Sequence, residues 1–160
     1  MTLGKKFFWL WILGGLFPAT GAFAFNCQVS AGSLNFPTYD IFSTFPTDST
    51  ATLHVSCNAP EQNPHAPLPV TIALSSGASG NFAQRQMLSL AGGTDHLNYN
   101  LFTNASYSSI WGDGAGSSIT LTNILDKNTP WDAVIYARIP ARQNVRAGTY
   151  SDVITVTVNW

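Results

Sequence analysis

The sequence predicts an all-β chain folded as a β-sandwich of the immunoglobulin-like kind, and three observations predict it. Beyond Ala24 no segment carries a helical period over ten or more residues, whereas seven or eight short segments alternate apolar and polar residues with period two. Clusters of Gly, Pro, Ser and Asn separate these segments. Polarity is supplied by Ser, Thr and Asn rather than by charge, since only 9% of the chain is Asp, Glu, Lys or Arg. A closed barrel is the alternative arrangement.

Residues 25–36 read FNCQVSAGSLNF, a first strand with a bend at Gly32-Ser33. Residues 37–48 hold two prolines and several Ser and Thr, as a loop or irregular edge does. Residues 50–57 alternate with Ala51, Leu53, Val55 and Cys57 on one face. A loop with four prolines follows over 58–69, then a strand over 70–74 with Val70, Ile72 and Leu74 inward. Residues 75–81 (SSGASGN) are a flexible turn, 84–90 a further strand, and 91–94 another turn. Residues 97–103 place Leu97, Tyr99 and Leu101 on one face. A long loop spans 104–117, strands follow at 119–125 and 131–139, and the turn 126–130 joins them.

After a connection over 140–148, residues 150–160 (YSDVITVTVNW) form one closing strand. Tyr150, Ile154, Val156, Val158 and Trp160 share its apolar face, with Asp152 the polar exception. Ser151, Thr155, Thr157 and Asn159 share the other, with Val153 the apolar exception. Such a strand needs a neighbour on both edges or a cover, because an open edge templates pairing with another chain.

The N-terminus carries a secretory signal. Lys5 and Lys6 form a basic region, 7–17 an apolar one, and Ala22-Phe23-Ala24 an A-x-A cleavage site. Residues 1–24 are expected to be removed and 25–160 to form one exported domain. An uncleaved anchor is the alternative, but the apolar run falls short of the ~20 residues that span a bilayer. No later stretch approaches that length. Without Lys5 and Lys6, five Lys and Arg stand against eight Asp and Glu, a formal charge of −3. That balance gives no electrostatic reason to expect nucleic acid as a partner.

Cys27 and Cys57, 30 positions apart, are read as a disulfide in an oxidising compartment. Free thiols or half a metal site are the alternative, but His54, His65 and His96 show no ligand spacing. No metal or other cofactor is expected. Catalytic patterns are weak. Gly-x-Ser-x-Gly is absent. Asp113, between two glycines, lacks the ligand series of a calcium loop and reads as a turn over which Trp111 packs. Asp126 and Asp132 have no spacing that demands a glycosidase pair. His54 is expected on an exposed face. Arg138, Arg142 and Arg146 form a loose cluster, read as edge charges, with capture of a partner's carboxylate as the functional alternative.

Several blocks together resemble the spore coat protein U family. They are Leu97-Asn98-Tyr99-Asn100-Leu101-Phe102-Thr103-Asn104-Ala105, Trp111-Gly112-Asp113-Gly114, Tyr136-Ala137-Arg138-Ile139-Pro140-Ala141-Arg142-Gln143, Ala147-Gly148-Thr149-Tyr150-Ser151-Asp152 and Thr155-Val156-Thr157-Val158. Cys27-x-Val29-Ser30-Ala31, Leu34-Asn35-Phe36, Tyr39-Asp40 and Val55-Ser56-Cys57 fit its N-terminal half. The family includes subunits of archaic chaperone–usher pili. The resemblance implies an incomplete immunoglobulin-like sandwich that lacks its last strand and is open to donor-strand complementation. A periplasmic pilus chaperone supplies the strand first, and another pilus subunit replaces it at the outer-membrane usher. Tyr150, Ile154, Val156, Val158 and Trp160 would then line the acceptor groove.

The resemblance further implies passage through the periplasm to a surface fibre or coat, with a role in adhesion or biofilm formation. Strand-donating subunits carry a dozen or more alternating residues before the first cysteine. Cleavage after Ala24 would leave only Phe25 and Asn26, so this chain is expected to accept a strand without donating one. A tip adhesin-like binding module, touching a surface or sugar through exposed loops around Tyr107 and Trp111, is the alternative.

Overall fold

The structure, a computed structural model, describes residues 26–58, 67–126 and 129–160. The expected signal peptide, most of the proline-rich loop with His65, and part of the 126–130 turn lie outside these residues. Nine strands are present among those described: β1 (Asn26–Ala31), β2 (Thr47–Asn58), β3 (Leu68–Leu74), β4 (Arg85–Ser89), β5 (His96–Phe102), β6 (Leu121–Leu125), β7 (Trp131–Ile139), β8 (Tyr150–Ser151) and β9 (Val156–Asn159). They form two sheets, one of order β1-β2-β7-β5-β4-β8 and one of order β6-β3-β9, with every pairing antiparallel. The sandwich, not the barrel, is the architecture.

The core follows from the alternation. Leu53, Val55 and Cys57 of β2 and Ala133, Ile135, Ala137 and Ile139 of β7 are buried from one sheet. Val70, Ile72 and Leu74 of β3 meet them from the other. Each fully buried Val, Leu or Ile contributes about 1.5–3 kcal/mol before conformational entropy is charged against it.

The loop between β5 and β6 joins the sheets. The Trp111 N–H donates to Leu101 O at 2.9 Å, and Gly112 O accepts from Leu74 N–H at 3.1 Å. The Trp111 indole is fully buried and its Nε1–H donates to Ile72 O at 3.0 Å. Gly112 has no alternative there, because a Cβ would overlap the Ser118 and Phe82 side chains.

Two expected strands are shorter than the alternation suggests. Pairing of the first ends at Ala31, although Leu34 and Phe36 still pack on the core. The closing strand is not continuous: β8 pairs with β4, and β9 pairs with β3 in the other sheet. The cause is Asp152. Its Oδ1 accepts the N–H of Val153 at 2.8 Å and of Ala78 at 2.9 Å, which pulls the chain out of one sheet and aims it at the other. Thr155 then docks on Ser75, donating to its Oγ and accepting from its N–H, both at 2.9 Å.

Candidate functional site: a groove between two unpaired flanks

Strands lie ~4.8 Å apart, so a three-stranded sheet cannot cover a six-stranded one. On one flank, among the described residues, the six-stranded face is bordered by segment 31–41 and segment 145–156. Between them runs a groove of about 1070 Å³. Its floor is apolar, from Leu53, Met87, Leu97, Leu101, Ile135 and Ile139.

Segment 31–41 is held in place at two points. The Ser49 hydroxyl donates to Asn35 O. The Tyr39 hydroxyl donates to Pro140 O at 3.0 Å and accepts the Gln143 N–H at 2.7 Å. Cys27 and Cys57 stand directly opposite in the β1–β2 register and are joined as a disulfide, which ties the start of this flank to β2.

The opposite flank carries the predicted residues. Tyr150, Ile154 and Val156 line the groove and are half-buried. Val158 packs on the core further along β9, away from the groove lining. Trp160 is 54% exposed, because the β3–β9 pairing ends at Asn159 and leaves it no strand partner among the described residues. Thr155 uses its backbone on Ser75, and Ala73 and Thr71 stand opposite Thr157 and Asn159. An extended chain alternates the direction of its amides, so Ile154, Val156 and Val158 turn their N–H and C=O groups to the other side. Among the described residues β9 has no strand on that side.

One polar pair lies on the floor, and a second polar network is buried outside the groove lining. The buried Tyr99 hydroxyl donates to Asp152 Oδ2 at 2.7 Å. Burial, and then the Asp152 carboxylate, push the Tyr99 pKa well above its ordinary value. Arg85 is fully buried, donating to Ser75 O at 3.0 and 2.8 Å, Asn100 Oδ1 at 2.7 Å and Trp111 O at 2.7 Å. Burial lowers its pKa, and the fields of Tyr99, Asp152 and Asp113 oppose that shift. Sequence reasoning missed Arg85 and Asn100. Arg85 and Met87 share the inward face of β4, and that spacing was the available signal.

The remaining candidates are occupied within the chain. Arg138 pairs bidentately with Asp48, at 2.7 and 2.8 Å, which holds the Asp48 carboxyl below its usual range. Arg146 lies 3.3 Å from Asp95, and Arg142 is exposed at positive φ, so the three arginines build no common site. His54 is exposed, as expected, and sits 2.6 Å from Asp132. Asp113 accepts the Ala115 N–H at 2.8 Å in its turn. No cluster of three metal-ligating side chains occurs among the described residues. Trp111 is buried, as the turn reading expects, and this overturns the alternative in which it is exposed on a binding loop. Tyr107 is taken up by Arg138, stacked 3.6 Å from its ring, and by edge contacts with Phe102 and Tyr136.

Comparison with known proteins agrees with this architecture. Protein U of Myxococcus xanthus is 28% identical over 151 residues, covering 88% of this chain and 78% of that protein. The fold is similar to a chain in the crystal structure of the CsuC–CsuE chaperone–tip adhesion subunit pre-assembly complex, from the archaic chaperone–usher Csu pili of Acinetobacter baumannii. That match has a TM-score of 0.59 at 24% identity, and it covers 86% of this chain but only 40% of the other. The Spore Coat Protein U domain model matches residues 14–157, nearly the whole chain including both flanks of the groove. On that match the chain belongs to the Spore Coat Protein U domain family, a family of structural rather than enzymatic proteins.

Proposed function

We propose that this chain is an exported subunit of a surface fibre or coat of the archaic chaperone–usher kind, and that the groove accepts an extended strand from another chain. One observation carries the reading. The groove has an apolar floor and is bordered by Ile154 and Val156, whose side chains point in and whose backbone amides turn to the same opening. That combination suits an added strand: main-chain bonds to the edge supply affinity, and alternate side chains on the floor supply register. The partners are a periplasmic chaperone first, then another subunit at an outer-membrane usher. Adhesion or biofilm formation is the role of the assembled fibre.

The A-x-A site at Ala22–Ala24 leaves Phe25 and Asn26 ahead of Cys27, too little for a donor strand. On this reading the chain accepts but does not donate, and it stands at a fibre end or acts outside a polymer. N-terminal sequencing of the exported protein tests this; an upstream start with a retained extension would sink it. The acceptor reading is tested by producing the chain in a bacterial periplasm with and without a pilus chaperone. Recovery only as a chaperone complex, or a large rise in unfolding temperature on adding a donor-strand peptide, supports it. An equally stable lone monomer, indifferent to peptide, overturns it.

A further inference from the structure

Tyr150, Asp152, Ile154 and Val156 stand two residues apart along one groove wall. Three of these side chains are apolar or aromatic. The fourth is a carboxylate, and its setting is rigid. Its Oδ1 accepts two amides, from Ala78 and Val153, and its Oδ2 accepts the Tyr99 hydroxyl. It lies so close over Gly77 that a Cβ there would overlap it, so only glycine leaves it this place. A carboxylate offers about four acceptor sites, and the chain fills three.

While the groove is open, water reaches the fourth. An inserted strand removes that water, and a charged acceptor left unmet in a closed apolar site weakens binding. We propose that the strand entering this groove carries a hydroxyl side chain, threonine or serine, at the inward step facing Asp152, and that this pairing sets the strand's register. The inference rests on the strand-acceptor reading. A hydroxyl suits the site better than an ammonium. Arg85 already places a buried cation within the field of Asp152, and it shares Ser75 with the Thr155 anchor beside Asp152. Threonine has the shape of valine, so it fits a groove whose other steps call for β-branched apolar residues. Elsewhere on the floor the same hydroxyl meets Leu53, Leu97 or Ile135 and is left unpaired.

The test is a competition. Synthetic peptides of about ten residues, strand length, carry valine at every inward step; in each variant one inward valine becomes threonine. The mature chain is refolded with its disulfide in an equimolar mixture, and the retained peptides are quantified by mass spectrometry. One threonine peptide should be enriched at least about fivefold over the all-valine peptide, and the other threonine peptides depleted. Asp152→Asn should reduce that enrichment to below about twofold, since the acceptor loses its charge. Tyr99→Phe keeps the carboxylate, frees a second acceptor site and should raise the enrichment, so it carries the test if Asp152→Asn fails to fold. Preferential retention of the all-valine peptide, or an enrichment that neither variant changes, overturns the inference alone. Retention of no peptide overturns the strand-acceptor reading with it.

Discussion

The Tyr99 hydroxyl donates a 2.7 Å hydrogen bond to Asp152, and the bond spans the groove floor from β5 to the point where the closing strand changes sheets. Tyr99→Phe removes the donor and leaves a partly buried carboxylate oxygen short of a partner. A loss of about 1–3 kcal/mol in urea unfolding is expected. The bond also has a pH signature. The folded pKa of Tyr99 lies above the unfolded value of 10.0, so its contribution is complete below that pH. It is lost progressively as pH rises past it, because only the unfolded chain then releases the proton. The wild type should lose stability above about pH 10 more steeply than Tyr99→Phe.

The disulfide closes a separation of 30 residues and fastens the edge strand that leads into one groove flank. Chain entropy assigns such a crosslink about 3–4 kcal/mol. Cys27→Ser with Cys57→Ser should lower the urea midpoint accordingly. Reductant should reproduce the loss in the wild type and leave the double variant unchanged.

Legibility in the sequence tracks the cleanness of the alternation. The nine residues of β7 coincide with the expected 131–139, and β2 contains the expected 50–57, because both strands bury one face without interruption. The period of the closing segment predicts one continuous strand, yet its two exceptions mark the break. Asp152 disturbs the inward face because it turns the chain between sheets, and Val153 disturbs the outward face because it sits on that turn, 83% exposed. Arg85 and Asn100 are hard to read for a different reason, the inward spacing of Arg85 with Met87 being a weak signal. A charged or amide residue in a strand has the pattern of a solvent-facing residue, and only the tertiary fold brings Ser75 and Trp111 carbonyls to the guanidinium. The burial of Trp111 follows the turn reading of 111–114, but its partner Ile72 O lies on a distant strand that no local pattern points to.

The groove wall predicts a contrast between neighbours. Ile154→Asp puts a charge where an inserted strand would pack, whereas Val153→Asp puts the same charge on the solvent side. Affinity for a donor-strand peptide or a pilus chaperone, measured by titration, should fall at least about tenfold for the first, or about 1.4 kcal/mol, and stay within about twofold for the second. Equal losses would mean that net charge, not the groove, controls binding.

Arg85 is the side chain whose loss should cost the most. Its guanidinium is fully buried and serves acceptors from three parts of the chain: Ser75 at the end of β3, Asn100 on β5 and Trp111 in the inter-sheet loop. Asn100 in turn donates to Phe82 O at 2.9 Å and Ala83 O at 3.1 Å, so the network also holds the approach to β4. No carboxylate hydrogen-bonds to the guanidinium among the described residues; the charge is balanced by dipoles in a forked geometry that a point charge cannot match. Arg85→Met strips Ser75 O and Trp111 O of their donor, leaves Asn100 Oδ1 only the Leu101 N–H, and should cost about 3–5 kcal/mol. Against a typical total of about 5–15 kcal/mol, that is enough to cut soluble yield even with a donor strand bound. Arg85→Lys retains the charge but reaches fewer of the acceptors, so its urea midpoint should fall between those of Arg85→Met and the wild type. A lysine variant as stable as the wild type would show that charge, rather than the fork, holds the sheets together at this point.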